Sequence, residues 1–424
     1  VGVDVAIAIT HVYVWIVVGV MAIYAVRHWG FTWNRLAMRQ RPYYQDLIDE
    51  DLPGVTVVVP MHDEQTVASA VLDALIACDY PRDRFEIIPV DDRSSDDTTT
   101  IVAAYSMAYS FIKPAYVMGG ERGKPAALDR VLPIAEHDII LVFDADYRPG
   151  KGLIRELVMG FVDPEVGAVM GRVVPRNANE NFLTRMQAME RSGGYQVDQQ
   201  ARYNMNLIPQ YGGTVGGFRR NVALELGGFD PHALAEDTDL TIRLALAGWR
   251  VGYANRAECY EEAPAQWAVR FRQLRRWSRG HNRALGTYLF AMMSAKALSW
   301  EQRVDGVLLL FVYLVPAVLF TGFAANALLF FAGQIPVVPL VAFSFFVVSY
   351  SAFGNFGPAF EIAAAELLDG ARERLLLLPY LFALFLFNGW AVTAGAMDAF
   401  GDFIKGRRAK WDRTQKIGTP RGVV

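Results

Sequence analysis

The sequence predicts an α/β domain built on a parallel sheet and set between apolar helical segments. Three observations predict it. From Pro53 to about Arg283, strand-like and helix-like patterns alternate, the order that produces a doubly wound sheet. Inside that stretch, Ile139-Ile140-Leu141-Val142-Phe143 is an apolar run that ends abruptly in Asp144-Ala145-Asp146. A run without polar alternation marks a central strand buried on both faces, and its C-terminal end is where open α/β sheets take their ligands. Finally, hydrophobic residues make up 53% of the 424-residue chain, and the excess gathers at the two ends.

Val3 to Val26 is apolar apart from Asp4 and His11, and its length suits one membrane-spanning helix (residues 1–26). A signal peptide is the competing assignment, but no small-residue cleavage site follows. With Val1 in place of Met, a shortened N-terminus is expected. Arg27, His28, Arg35, Arg39 and Arg41 mark a cytoplasmic flank, a basic linker over residues 27–52. The alternating domain, expected over residues 53–266, opens with a strand at Val55–Val59 and a helix at Val67–Cys78. A strand at Phe85–Val90 then ends in Asp91-Asp92, and a helix at Asp97–Ala108 follows. A short strand at Ala115–Met118 and a helix at Pro125–Ala135 lead into the strand that ends at Asp144. No GxGxxG follows the first strand, which argues against a dinucleotide cofactor.

In the next segment, residues 267–303, Trp267, Phe271, Leu274 and Trp277 fall on one helical stripe, with six arginines from Arg270 to Arg283 crowded around it. That pattern suits a helix lying on a membrane surface, or else a domain helix with a solvated basic face. Val304–Phe331 and Val337–Phe353 read as spans, joined by the uncharged Ala332-Gly333-Gln334-Ile335-Pro336, which is expected outside. Pro358–Arg374 is mixed in character and is expected on the cytoplasmic surface. Leu375–Phe400 is apolar enough to cross. A crossing, however, would export Lys405, Arg407, Arg408 and Lys410, against the positive-inside rule. Asn388-Gly389 at its middle is a candidate break, so a re-entrant or interfacial segment is expected within residues 304–404, followed by a cytoplasmic tail over 405–424. The layout implies a multi-pass protein of a bacterial plasma (inner) membrane with its α/β domain in the cytoplasm. A net charge of −3 gives no case for nucleic acid. Cys78 and Cys259 match no metal spacing and read as reduced thiols.

Several motifs carry chemistry. Side chains alternate along an extended chain, so Asp144 and Asp146 point the same way and can share one hard cation, which suits a pyrophosphate. The plainer alternative is an acidic turn at a strand end. Asp92 lies where strand ends meet helix starts and can accept an N–H from a pyrimidine edge, while Ser95 or Asp96 caps the next helix. Lys124 stands near a helix N-terminus, suited to phosphate or base oxygens, or is simply exposed. Asp237, in Glu236-Asp237 at the start of an amphipathic helix, is either an N-cap or a general base for an attacking sugar hydroxyl. Gly212-Gly213-Thr214-Val215-Gly216-Gly217 permits close backbone approach to a sugar ring, or forms tight turns. Gln273, Arg276 and Trp277 offer a stacking plate and a pyrophosphate fork.

In this order, Pro60-Met61-His62-Asp63-Glu64, Asp91-Asp92, Gly123-Lys124, Asp144-Ala145-Asp146, Glu236-Asp237 and Gln273-Leu274-Arg275-Arg276-Trp277 (QxxRW) resemble the membrane-integrated processive family-two glycosyltransferases of the cellulose, chitin and hyaluronan synthase type. The resemblance covers residues 53–283 by motif and the remainder by layout. It implies a GT-A-type (Rossmann-like) fold and a UDP-sugar donor, UDP-glucose or UDP-N-acetylglucosamine. Glu64, Asp92 and Lys124 would line the uridine and phosphate pocket, and Asp144 and Asp146 would hold Mg²⁺ or Mn²⁺. Asp237 would be the base of an inverting transfer. Gln273 and Arg276 would reach the donor phosphates, while Gly213, Thr214, Glu236 and Trp277 would face the acceptor. The tail Lys410-Trp411-Asp412-Arg413-Thr414-Gln415-Lys416 resembles a gating loop, with Trp411, Thr414 and Lys416 closing over the nucleotide. Gln415 stands where proline is usual, and Asp63 where asparagine is usual. The activity implied is extension of a β-linked polysaccharide, passed through the chain's own helices. Transfer of one sugar to a lipid such as a polyprenyl phosphate or diacylglycerol is the enzymatic alternative, and a non-enzymatic transporter the third class. The partners implied are the donor, a growing polysaccharide, the bilayer, and accessory export or regulatory subunits or a second copy of the chain.

Overall fold

Val55–Met61 (β1) is a strand buried at every residue but Pro60, in an eight-stranded sheet of the computed structural model, which describes residues 2–41, 51–334 and 356–406. The others are Phe85–Asp91 (β2), Ala115–Tyr116 (β3), Ile139–Val142 (β4), Arg148–Pro149 (β5), Val166–Pro175 (β6), Gly216–Arg219 (β7) and Arg250–Glu261 (β8). Their order is β3-β2-β1-β4-β7-β6-β8-β5. The first four pair in parallel, as the alternating pattern predicts. The second half departs from that expectation. β7 inserts antiparallel between β4 and β6, and β5 pairs antiparallel with β8, so the sheet is mixed. Glycine makes the insertion possible: a Cβ on Gly217 would lie 2.1 Å from the Ile140 carbonyl oxygen. Val57, Val58, Leu141 and Val142 have no exposed surface, and burying each such side chain contributes on the order of 2 kcal/mol.

The helices are Gly2–Ala37 (α1), Ala68–Ile76 (α2), Thr98–Ala108 (α3), Lys124–Val131 (α4), Leu153–Met159 (α5), Phe182–Ser192 (α6), Gln200–Asn204 (α7), Arg220–Glu225 (α8), Glu236–Leu246 (α9), Trp267–Ser294 (α10), Trp300–Phe311 (α11), Val315–Phe331 (α12), residues 356–368 (α13) and Leu378–Lys405 (α14). A π-helical segment, Gly193–Gln199, joins α6 to α7. Among the described residues, two helical stretches are long and apolar enough to cross a membrane, Asp4–Ala37 and Arg372–Lys405. At 1.5 Å per residue α1 is about 54 Å long, more than a bilayer core of about 30 Å requires. Its C-terminal part docks on the domain: Arg27 pairs with Asp198 at 3.0 Å and Asp305 at 3.2 Å, and Arg35 donates to the Gln196 carbonyl at 2.8 Å.

Three expectations for the apolar segments are revised. The span expected at Val304–Phe331 is broken: α11 and α12 meet at a 69° bend. Pro316 lies in the first turn of α12 and cannot continue a ladder from α11. Asn388-Gly389 does not break its helix; α14 runs through it without interruption. The apolar stripe of α10, expected at a membrane surface or on a solvated domain helix, packs against α14. Trp267 packs on Phe387 with ring centroids 4.7 Å apart, and Phe271 on Trp390 at 4.9 Å. Nor is the basic face free: Arg275 and Arg279 pair with Asp398 and Asp402 of α14, at 2.6 and 2.7 Å. From Tyr380, against Phe182, to Asp402, α14 lies along α6 and α10. The expected span at Val337–Phe353 and the tail with Trp411, Thr414 and Lys416 fall outside the described residues.

Candidate functional site

The C-terminal ends of β1, β2 and β4 open onto a cavity of about 1130 Å³, which also reaches α9, α10 and the α11–α12 bend. Parallel strands aim their C-terminal ends the same way, so residues distant in sequence converge there. Glu64, Asp92, Lys124, Asp144, Asp146, Thr214, Glu236, Asp237, Gln273, Arg276 and Trp277 all line it. Gly213 stands just behind the lining: its φ is +73°, and a Cβ there would lie 3.2 Å from the Glu236 carboxylate.

At the β1 end, Asp63 has a φ of 52°, a left-handed conformation that Asp and Asn tolerate best. Its carboxylate accepts from the Ser95 N–H at 2.6 Å. Glu64 is buried, and its own N–H donates to the Thr98 hydroxyl at 2.8 Å. At the β2 end, Asp92 accepts from the Gly123 N–H at 2.8 Å and from Arg93 at 3.2 Å. It therefore fixes the loop that carries Lys124. Asp96 accepts from the Thr98 N–H at 3.0 Å and so serves as the side-chain anchor at the α3 start.

β4 ends at Val142, and Asp144–Asp146 form a turn closed by the Tyr147 N–H on the Asp144 carbonyl at 3.1 Å. The strand alternation expected to align the two carboxylates thus does not apply. It is the turn that brings both to the cavity wall. The Thr214 hydroxyl accepts the Asp144 N–H at 3.1 Å, so Thr214 buttresses this turn. Gly216 and Gly217, expected near a sugar, are instead committed to close strand packing.

Lys124 is the electrostatic hub. Its ammonium lies 2.8 Å from Asp144 Oδ1 and 3.5 Å from Glu236 Oε1. Burial pulls its pKa down, but the carboxylates of Asp144 and Glu236 outweigh that and raise it. Asp237 is not the N-cap of α9, a position held by Ala235 with no side-chain bond. Its Oδ1 accepts from the Thr238 N–H at 2.7 Å. Burial, then the adjacent Glu236 charge, push the Asp237 carboxyl up to about 7.

The pattern-based reading missed several lining residues, Gln210, His281, Glu261, Tyr147 and Arg191 among them, and the buried Thr238 behind the wall. Thr238 Oγ1 accepts from Gln210 at 3.1 Å and lies 3.3 Å from His281 Nδ1; burial lowers His281 to about 4. Glu261 accepts from Tyr147 at 2.9 Å and from Arg191 at 2.7 Å, and the Arg191 guanidinium lies 5.3 Å from the centre of the Trp277 ring. This chain joins the Asp144–Asp146 turn to α10. Tyr195 and Gln199, on the π-helical segment, also line the cavity. Such segments recur at functional sites, but their register is invisible to periodicity.

Comparison with known proteins places these features. Residues 53–280 match the model described as glycosyltransferase like family 2. A probable glycosyltransferase, YdaM of Bacillus subtilis, is 36% identical over 270 residues, covering 63% of this chain and 64% of its own; this chain therefore spans less than two thirds of that relative. A protein of Synechocystis named β-monoglucosyldiacylglycerol synthase is 29% identical over 366 residues, 85% of this chain and 74% of that relative. Among solved structures, the mannosyltransferase PcManGT of Pyrobaculum calidifontis, in complex with GDP-Man and Mn²⁺, superposes with a TM-score of 0.62 at 22% identity. It covers 93% of this chain and 99% of its own, and shares its fold. The fold is thus GT-A-like with a mixed sheet, and the chain belongs to glycosyltransferase like family 2, with residues 53–280 as its glycosyltransferase domain.

Proposed function

We propose that the protein transfers a single hexose from a UDP-sugar to a hydroxyl of a membrane lipid, with inversion at the anomeric carbon. One observation carries this reading: the same cavity is lined at one end by Asp144, Asp146 and Lys124 and at the other by Trp277 and Tyr313, where α10 meets the bend between the apolar helices α11 and α12. A donor site that opens among apolar helices suits an acceptor with a lipid tail. The name of the Synechocystis relative, and of a Nostoc relative 28% identical over 89% of this chain, points to the same acceptor class.

In this reading the acceptor oxygen attacks the anomeric carbon, the bond from that carbon to the diphosphate oxygen breaks, and Asp237 takes the hydroxyl proton. Lys124 lies beside the departing diphosphate, and Thr238 orients the Asp237 carboxylate through its N–H. Asp144 and Asp146 fit a divalent cation shared with the diphosphate. Among the described residues no group of three or more His, Cys, Asp or Glu forms a metal cage. A hard ion bound by two carboxylates takes its remaining ligands from phosphate oxygens and water. When bound, Mg²⁺ or Mn²⁺ would offset negative charge on the leaving group.

Extension of a β-linked polysaccharide is the second reading, favoured by the convergence of Gln273, Arg276 and Trp277 on the cavity. Product analysis with radiolabelled UDP-glucose and UDP-N-acetylglucosamine separates the two. A short labelled lipid is the expected product. High-mass carbohydrate means the polymer reading, and no turnover with either donor overturns both.

A further inference from the structure

Two substrates have to occupy one cavity together for transfer, and the Asp144–Asp146 turn and Trp277 stand at its two ends. A line of side chains joins these ends through Tyr147, Glu261 and Arg191, all of which line the cavity. Its register comes from the backbone. Arg148 and Pro149 of β5 pair antiparallel with Tyr260 and Cys259 of β8, so the next residues outward, Tyr147 and Glu261, stand opposite one another. The Tyr147 N–H closes the turn on the Asp144 carbonyl at 3.1 Å, and its hydroxyl donates to Glu261 Oε2 at 2.9 Å. One residue thus shapes the turn with its backbone and reaches out of it with its side chain.

Glu261 is the junction. It is 7% exposed, and its carboxylate also accepts from Arg191, from Nε at 2.7 Å and from Nη2 at 3.3 Å. A buried carboxylate with three donors is held in the orientation that meets all of them, and it holds Arg191 in turn. The Arg191 guanidinium lies 5.3 Å from the centre of the Trp277 ring, within reach of its π face. A displacement of the turn therefore arrives at Trp277.

Helix α6, which carries Arg191, is stitched to the loop that leads from β8 into α10. Asn181 donates to the Ala265 carbonyl at 3.0 Å, and Gln187 to the Pro264 carbonyl at 2.7 Å. A second guanidinium, Arg270, lies 5.8 Å from the centre of the Trp277 ring, but it bonds Glu190 of α6 at 2.8 Å and Gln273 of α10 at 3.0 Å. Of the two cations at the ring, Arg270 is fixed within the helices and Arg191 answers to the turn.

We infer that Glu261 is a positioning residue that couples the Asp144–Asp146 turn to Trp277, so that a nucleoside diphosphate bound at the turn sets the ring for the acceptor. This rests on the reading above only for the donor at Asp144 and Asp146 and the acceptor at Trp277, and it holds for a lipid or a saccharide acceptor alike. Coupling between sites is reciprocal, so an acceptor at the ring favours the donor at the turn.

Two variants cut the line. Tyr147→Phe removes one hydroxyl and leaves Glu261 both of its Arg191 bonds, so neither of those groups loses its last partner. Glu261→Asp keeps the charge and draws the carboxylate back by one methylene. The full chain in detergent is titrated with UDP and Mn²⁺ while tryptophan emission is followed. Nine tryptophans emit, so the share of Trp277 is isolated by subtracting the same titration of each chain carrying Trp277→Phe as well. Wild type is expected to show a UDP-dependent change in that share. Both variants are expected to lose most of it while their Kd for UDP, by calorimetry, stays within about twofold of wild type, because the coupling is cut and not the nucleotide site. A merely structural role would lower the Tm and leave the response to UDP in place. A Trp277 response retained in either variant, or absent from wild type that binds UDP, overturns the proposal. If wild type does not bind UDP, the UDP-sugar reading falls, and GDP replaces UDP in the same titration. A GDP response lost in both variants would still assign the coupling to Glu261, whereas binding of neither nucleotide removes the coupling together with the donor site.

Discussion

At Asp237, burial and the neighbouring Glu236 carboxylate raise the pKa to about 7, while Thr238 and Lys124 restrain the rise. A base must be unprotonated to act, so turnover is expected to climb with pH through about 7. Lys124→Gln removes a restraining cation and should move that limb to higher pH, read from the pH profile of kcat. Stability runs the other way. Between the ordinary carboxylate range near about pH 4 and the folded value of about 7, the folded state keeps a proton on Asp237 that the unfolded state has lost. Stability from this group is therefore present at low pH and declines across that window. Asp237→Asn should show a weaker decline of Tm over the same range. It should also lose roughly 10²–10⁴ in transfer rate while still binding UDP-sugar, because it keeps the shape and loses the proton acceptor. Turnover near wild type would remove Asp237 from the mechanism. Asp146→Ala tests the other pole of the site: it should abolish Mn²⁺-dependent binding of UDP by calorimetry and leave the Tm within a few degrees.

Helix α14 is held against α10 at two kinds of contact with different weights. A Cβ on Gly395 would lie 2.3 Å from the Arg275 carbonyl oxygen and 2.7 Å from Ser278 Cβ, and the Ser278 hydroxyl donates to the Val392 carbonyl at 2.6 Å. Backbone cannot move aside for a side chain there. Gly395→Leu should cost about 1–3 kcal/mol, measured as a fall in thermal stability in detergent. The Arg275–Asp398 pair is bidentate but half exposed at the arginine. Arg275→Ala should cost less than about 1 kcal/mol. A larger loss from Arg275→Ala than from Gly395→Leu would mean that charge rather than close packing fixes α14.

For the molecule as a whole, the joint between α1 and the domain is a buried ionic network. Arg27 and Arg202 share Asp198 and Asp305, with distances from 2.5 to 3.2 Å, and both guanidinium groups lie over the Phe31 ring. Removing one member of such a network leaves buried carboxylates short of a partner. Arg27→Met should therefore destabilise the protein by about 3 kcal/mol. Limited proteolysis should then cut between α1 and the domain before the domain itself is cut. Simultaneous loss of both would mean that α1 and the domain unfold as one unit.

Chemistry-bearing residues that follow a strongly patterned element could be read from the sequence. β4 is a continuous apolar run and β1 and β2 are mostly apolar, so the carboxylates that follow β2 and β4, Asp92, Asp144 and Asp146, were marked by position alone. Lys124 and Asp237 were marked in the same way by the helix starts that follow them. β7 was not legible, because Gly216-Gly217-Phe218-Arg219 has no strand signature; only the approach of β4 and β6 makes those glycines a strand. Periodicity showed that α10 has an apolar stripe but not what covers it. A membrane and a second helix reward the same residues, and Phe387 and Trp390 decided for the helix. Asn388-Gly389 looked like a break because both residues are poor helix formers. In place, the Asn388 amide bonds Glu190 and Gly389 makes room for Phe320, so tertiary contacts outweigh a local preference of about 1 kcal/mol. Local pattern determined which residues carry the chemistry and on which elements. Only the folded chain decided which of them meet, because burial and pairing between distant segments leave no period in the sequence.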